Sequence, residues 1–171
     1  NLTIILGRSN DTKNLFNRII CSMKTLEFEN INVLTGNDML ASELKKSLKL
    51  PNCRIYGWLD VLKISSIFIN SDLVISSGGQ TLNELAYLGV PFVAVESGFD
   101  QYWNIQGFVK KKITPIHIKS DDKNLDKKLI DTVKILKDSS KRSNMSSKGT
   151  ILIDGDGAFR IANLLENYND L

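Results

Sequence analysis

Apolar runs of strand length alternate along the chain with longer stretches whose apolar residues return every three or four positions. Leu2-Thr3-Ile4-Ile5-Leu6 reads as a buried strand stopped by Gly7, and a helix is expected from Thr12 to Leu26. Asn32 to Thr35 is a second strand ending at Gly36, and Met39 to Leu48 is a helix that halts before Pro51. Arg54 to Tyr56 forms a short strand closed by Gly57, Val61 to Ile69 a helix, and Leu73 to Ser76 another strand. Thr81 to Leu88 is a helix ended by Gly89, followed by a strand at Pro91 to Val95, a helix at Tyr102 to Lys110 and a last strand at Pro115 to Ile118. The C-terminal third reads as helical, with interruptions near Gly149 and across Asp154-Gly155-Asp156-Gly157. Strands alternating with helices of this length predict an α/β fold, a doubly wound parallel sheet of Rossmann-like type. The strands are apolar along both faces, as a sheet covered twice requires. No repeat, low-complexity tract or linker interrupts the pattern, so residues 1–171 read as a single domain.

Such sheets bind ligands at the carboxyl ends of their strands. That rule directs attention to the loops after Leu6, Tyr56, Ser76 and Val95. The strongest local feature is Ser76-Ser77-Gly78-Gly79-Gln80, where a strand runs into paired glycines and then into a helix beginning at Thr81. Glycines let a backbone approach a ligand closely, and the first N–H groups of a helix are unpaired at its positive end, which suits phosphate oxygens. The same residues also suit a plain turn that needs glycine for positive φ, and the pattern leaves both readings open. Glu84 has two readings as well. Thr81-Leu82-Asn83-Glu84 fits a capping box, while a carboxylate there could accept both hydroxyls of a ribose. Gly7-Arg8-Ser9-Asn10-Asp11 is a second loop between strand and helix; it could lend Ser9 to a phosphate, although Asn and Asp are ordinary turn and cap residues.

Composition narrows the classes. The 22 basic and 19 acidic residues leave a net charge of +3, too mild to demand a polyanionic partner. Lys110-Lys111-Lys112 and the Lys-rich stretch from Lys119 to Lys148 read as solvated helical faces, because acidic residues are interleaved and aromatics are scarce; no nucleic-acid partner is expected. No apolar run approaches the roughly 18 residues needed to span a bilayer, and association with a membrane surface is left open. The two cysteines, Cys21 and Cys53, are too far apart for a metal or redox motif and read as buried thiols in a reducing cytoplasm. His117, the single histidine, reads as a satisfied structural residue with no acidic partner visible in the sequence. No metal-ligand spacing occurs, and Asp154 to Gly157 lacks the remaining ligand positions of a calcium loop. The chain has neither the Gly-x-x-x-x-Gly-Lys loop of a nucleoside triphosphatase nor the Gly-x-Gly-x-x-Gly of a dinucleotide fold. It opens at Asn1 directly into a strand, which suggests a piece of a longer protein.

Taken together in order, these motifs resemble the C-terminal domain of GT-B-fold glycosyltransferases and their relatives. The resemblance is nearest to the UDP-sugar hydrolase of pseudaminic acid synthesis and the related spore-coat polysaccharide proteins. The chain is also similar to the UDP-N-acetylglucosamine transferase of peptidoglycan synthesis. Asp72 to Pro91 carries the strand, glycine turn, Glu-bearing helix and Leu-Gly-Val-Pro exit; Gln101-Tyr102-Trp103-Asn104 matches the transferase; Asp154-Gly155-Asp156-Gly157-Ala158 with Arg160 matches the hydrolase. The resemblance implies a UDP-linked sugar as ligand, held without cofactor or metal. Gly78 and Gly79 would lie against the diphosphate, with Ser9 completing the cradle and Ser77, Gln80 and Thr81 among the residues that bind the nucleotide sugar. Glu84 would accept the ribose hydroxyls, and the backbone at Trp58 and Leu59 would meet the uracil. Gln101 would reach the sugar or phosphate, with Asn104 beside it. No catalytic residue is expected in this segment, because the hydrolase's catalytic His and the transferases' acceptor site belong to an N-terminal domain. The implied activity is hydrolysis of, or transfer from, a nucleotide amino sugar in surface-polysaccharide synthesis. The alternative is a non-catalytic nucleotide-sugar-binding subunit or sensor that acts with a partner chain. Arg8 stands where these relatives carry glycine and would either add charge near the phosphates or block close approach.

Overall fold

The computed structural model describes residues 1–7, 12–48 and 50–168. Its strands are β1 (Leu2–Ile5), β2 (Ile31–Leu34), β3 (Cys53–Tyr56), β4 (Leu73–Ser77), β5 (Phe92–Glu96) and β6 (His117–Lys119). They form one sheet in the order β3-β2-β1-β4-β5-β6, and every pairing is parallel. The crossovers are α1 (Thr12–Met23), α2 (Asp38–Ser47), α3 (Val61–Ile69), α4 (Thr81–Tyr87) and α5 (Tyr102–Lys110). Three helices follow the sheet: α6 (Leu125–Ile135), α7 (Ser139–Leu152) and α8 (Gly157–Tyr168). The doubly wound parallel sheet read from the sequence is the fold that forms.

Alternate residues of each strand serve opposite cores. On one face Phe16, Ile20, Leu44 and Leu129 cover Ile4 and Val33; on the other Phe68, Leu82 and Ile105 cover Val74 and Phe92. Central β4 is buried along its whole length. Buried Thr3 is paired with Ser71, their hydroxyls 2.7 Å apart, whereas the buried Asn17 Oδ1 has no partner among the described residues. The strand order reverses between β1 and β4, so their following segments diverge and open a crevice at their carboxyl ends. The Gly7 N–H donates to Ser77 Oγ at 2.9 Å across that point, tying the two strand ends together.

Several boundaries differ from the sequence expectation. The last strand starts at His117 rather than Pro115, because Thr114 is buried with its hydroxyl on the Phe92 carbonyl and Lys112 takes a left-handed φ of 57°. The first helix ends at Met23. Gly149 interrupts nothing: it lies inside α7, where a Cβ would sit 3.0 Å from the Ala86 carbonyl oxygen and 3.1 Å from the Ala86 Cα. It is glycine because α7 and α4 cross there with almost no separation. The break at Asp154 to Gly157 is observed, and it is a helix start. Asp154 accepts the Asp156 N–H at 3.0 Å and the Arg160 guanidinium at 2.6 Å, and that guanidinium holds its carboxyl below the usual range. No described helix is long and apolar enough to cross a membrane.

Helix propensity alone favours replacing Gly149 by about 1 kcal/mol, yet the Ala86 backbone cannot withdraw as a flexible side chain would. Gly149→Val is therefore expected to destabilise the chain by roughly 1–3 kcal/mol through overpacking, read from the urea midpoint. An unchanged midpoint would mean that the helix crossing has slack.

Candidate functional site at the glycine turn

β4 delivers Ser76 and Ser77 to the crevice fully packed, and the chain then turns through Gly78 and Gly79 into α4. Neither glycine has positive φ, so the turn does not need glycine for its backbone angles. Their reasons differ. A Cβ on Gly78 would lie 2.6 Å from Ile105 and 2.8 Å from the Gln101 Cβ, so this residue is small because α5 presses on it. A Cβ on Gly79 would meet nothing within 4 Å, so this residue faces open space.

Helix α5 and Gln101, the residue just before it, fix the turn through two amides. Gln101 Oε1 accepts the Gly78 N–H and the Ser97 N–H, each at 3.0 Å. Asn104 Nδ2 donates to the Gly78 carbonyl at 2.8 Å and the Gly79 carbonyl at 3.1 Å. The peptide units on both sides of the Gly78 Cα are thereby held, one by its N–H and one by its carbonyl. The next N–H groups, those of Gly79, Gln80 and Thr81, have no acceptor among the described residues. Of these three adjacent unpaired donors, Gly79 and Gln80 belong to peptides whose carbonyls Asn104 holds.

The capping-box reading of Glu84 is not realised. Gln80 already has helical angles, φ −60° and ψ −27°, and makes no side-chain cap. Thr81 is therefore inside the helix and not at the extended position that a capping box requires. Asn83 Nδ2 bonds Gln80 Oε1 at 2.9 Å instead. Glu84 is exposed, without a hydrogen-bond or ionic partner among the described residues. It borders a groove of about 480 Å³ between α3 and α4, with Leu59, Val61, Ile64 and Tyr87. Leu59 and Glu84, distant in sequence, therefore share one concavity.

The segment at Trp58 is held from below. Asp38 Oδ1 accepts the Trp58 N–H at 3.0 Å, and the Asp38 Cα is so close that a Cβ on Gly57 would lie 2.9 Å from it. Asp60 then caps α3 by accepting the Lys63 N–H at 2.9 Å. The Trp58 ring itself is exposed. Ser9 and Arg8 lie outside the described residues. Among the other predicted site residues, Gln101 and Asn104 meet the Gly78–Gly79 turn, and Leu59 meets Glu84 at the groove.

Sequence reasoning missed Asp38, Ser97 and Glu96. His117 is satisfied, as expected, but it does have an acidic partner: its Nε2 bonds Glu96, and its Nδ1 lies 2.8 Å from Gln106 Nε2. A period-of-two reading of β5 and β6 could have put Glu96 and His117 on one face, but not in register. The cysteine expectation needs correction too. Cys21 is exposed, because it falls on the solvent side of amphipathic α1, and Cys53 is half-buried; burial pushes its thiol up against the opposing pull of Lys24. Lys110, Lys111 and Lys112 are exposed at the end of α5, in line with a solvated face. No cluster able to hold a metal occurs among the described residues.

Residues 2–160 match the model of the glycosyltransferase family 28 C-terminal domain. The chain belongs to this family. Solved structures agree on the fold. MurG of Acinetobacter baumannii superposes with a TM-score of 0.77 at 18% identity, over 97% of this chain and 52% of that one. The spinosyn rhamnosyltransferase SpnG, complexed with thymidine diphosphate, gives 0.66 at 16% identity, over 89% of this chain and 41% of that one. A UDP-N-acetylglucosamine 2-epimerase assignment from Listeria monocytogenes gives 0.68 at 16% identity, over 99% and 45%. This family 28 chain therefore spans about half the length of such structures or less. No curated protein matches it.

The different reasons for the paired glycines yield a test. Gly78→Ala should lower stability by roughly 1–3 kcal/mol, because its Cβ must displace Ile105 or Gln101. Gly79→Ala should stay within about 0.5 kcal/mol of wild type. Thermal melting of both variants checks the contrast, and equal losses would contradict it.

Proposed function

We infer that this chain is the donor-binding half of an enzyme that hydrolyses, or transfers from, a UDP-linked amino sugar in surface-polysaccharide synthesis. The observation that carries this reading is the row of unpaired N–H groups at Gly79, Gln80 and Thr81, one helical turn from the unpartnered carboxylate of Glu84. Fixed backbone dipoles at a strand-order reversal suit a diphosphate. They stabilise it most as it departs with full negative charge, since they need no reorganisation at that moment. Ser77 would back this cradle and Ser9 complete it. A ribose would chelate Glu84 through two hydroxyls, and the uracil would sit in the adjoining groove beside Leu59. There the Trp58 carbonyl and the Leu59 peptide are the available backbone groups, the Trp58 N–H being committed to Asp38. Gln101 would face the sugar with Nε2, because its oxygen serves the turn, and Asn104 with Oδ1. The resemblance of Asp154 to Ala158, with Arg160, to the nucleotide-sugar hydrolase favours a hydrolase of that kind in a cytoplasmic setting.

The chemistry also needs an activated oxygen nucleophile at the anomeric carbon. His117 cannot serve as it stands, because both its ring nitrogens are engaged at 11% side-chain exposure. The general base therefore comes from a second half-domain, on the same chain or on a partner. Helix α8 supports that partner: Ile161, Leu164, Leu165 and Tyr168 form an exposed stripe at helical spacing, which needs a cover. A non-catalytic subunit acting with such a partner is the reading to be separated by activity.

Titration of the 171-residue chain with UDP should shift amide signals at Trp58, Leu59, Ser77 to Glu84 and Gln101. Shifts confined to the Lys-rich C-terminal third would move the site elsewhere. Glu84→Gln should weaken UDP by about 1.5–3 kcal/mol, the range for a hydrogen bond to a charged group, and leave the melting temperature in place. A Glu84→Gln variant that binds UDP normally would remove Glu84 from the site. Incubated alone with UDP-amino sugars, the chain should release no UDP above background, and release should appear when the second half-domain is supplied. Release by the chain alone, abolished in His117→Ala, would put the base on this side of the cleft.

A further inference from the structure

Helix α5 meets the sheet in two places. Gln101, Asn104 and Ile105 touch the glycine turn, as the preceding geometry established. The neighbouring stripe, Tyr102 and Gln106, touches His117 on edge strand β6: the Tyr102 ring packs edge-on with centroids 5.5 Å apart, and Gln106 Nε2 lies 2.8 Å from Nδ1. The register pairs His117 with Ala94, so Glu96, two residues on, shares its face and holds Nε2. With Gln106 donating to Nδ1, the ring keeps its proton on Nε2 and donates it to the Glu96 carboxylate. Both carboxylate and ring are nearly buried, each side chain 11% exposed. Glu96 is followed by Ser97, whose N–H shares Gln101 Oε1 with the Gly78 N–H. The imidazole therefore anchors both ends of the segment from Glu96 to Gln106, and that segment carries every side chain seen holding the N–H and the carbonyl of Gly78.

We propose that His117 is a positioning residue of the donor site: through Glu96 and Gln106 it sets α5 and the Gln101 that precedes it on the sheet, and these in turn fix the two peptide planes at Gly78 and the aim of the unpaired donors after it. The proposal rests on the donor-site reading for its functional consequence but not for its structural one. The imidazole suits the task because it offers a donor and an acceptor on opposite sides of one rigid ring. It can hold a carboxylate on β5 and an amide on α5 without a flexible linker. Its role here needs the neutral ring, with Nδ1 free to accept.

The test uses the 171-residue chain and Gln106→Met, which keeps the half-buried volume and leaves the Glu96 pair intact. Because His117 is the only histidine, its ring ¹⁵N signals are unambiguous. In the wild type they should report a protonated Nε2 and an accepting Nδ1. In Gln106→Met, hydrogen exchange at the Gly78 and Ser97 amides should speed up about tenfold and UDP affinity should fall about tenfold, the scale of one lost hydrogen bond. Amides of β1 and β2 should keep their protection, which a general loss of stability would not allow. Unchanged exchange at Gly78 and Ser97, or a ring protonated on Nδ1 instead, would overturn the positioning role. If the wild type bound no UDP while those two amides still loosened in the variant, the donor-site reading would fail and the positioning role would stand.

Discussion

Gly78 has its N–H on Gln101 and its carbonyl on Asn104, residues three apart in the same segment. These two groups belong to the peptide units on either side of its Cα, so both planes are held, with Ile105 packed where a side chain would be. Everything proposed for the site depends on those planes. The Gly79 N–H shares a peptide unit with the Gly78 carbonyl, and the Gln80 N–H with the Gly79 carbonyl, so Asn104 orients both donors by holding both carbonyls. Preorganised dipoles stabilise a developing charge to the extent that they need not turn to meet it. Free glycines alone would give close approach without aim, and α5 supplies the aim.

This arrangement explains why residue types that look like ligands in the sequence have another task in the structure. Gln101 and Asn104 carry amides at the rim of the proposed nucleotide site, and the resemblance assigns them to sugar or phosphate. In the structure their nearest partners are backbone groups. An amide has both a donor and an acceptor end, so each can steady the turn with one end and offer the other to the cleft. Gln101 Nε2 also reaches Ser97 Oγ at 3.3 Å, so its remaining N–H and the Asn104 Oδ1 present opposite polarities, as neighbouring hydroxyl groups of a sugar can satisfy.

Much of the fold was legible in the sequence, for local reasons. Apolar strands such as Val74-Ile75 between helices with an apolar stripe leave few alternatives to a doubly wound sheet, and the strand-to-glycine transition at Ser77 marked the turn itself. What the sequence concealed was always tertiary. Gly149 looked like a helix stop because glycine is a poor helix former, yet its reason is the Ala86 backbone, more than sixty positions away. Thr81 to Glu84 satisfied the capping pattern, but the pattern presumes that Thr81 is the extended residue before the helix, and Gln80 had already entered it. Gly78 and Gly79 looked alike, and only the placement of α5 separates the packed one from the open one. Glu96 was invisible as a partner for His117 because pairing register across a crossover of some twenty residues has no local signature.

The site is also asymmetric in what it holds. One wall offers fixed neutral donors, a lone carboxylate at Glu84 and an apolar groove. Its single imidazole is locked between Glu96 and Gln106 with no nitrogen left to take a proton from water. On the proposed reading, such a wall binds and polarises a leaving group while the nucleophile is generated elsewhere. A reaction at an anomeric carbon needs the attacking oxygen on the face opposite the departing phosphate or beside it, so that group would approach from across the crevice. The surfaces able to receive a second body are present. Trp58 and Trp103 stand exposed, and α8 projects with Leu164 and Tyr168 uncovered on one stripe and Arg160, Asn163 and Asn167 on the other side. An apolar stripe of that kind does little for a body that contacts it nowhere, and its energetic return comes only when another surface closes over it. The same closure would bring a base to the diphosphate and exclude water from dipoles whose effect grows as the dielectric falls. On that reading, the rigidity of the turn and the open stripe on α8 serve one arrangement, in which binding is built in advance and chemistry waits for closure.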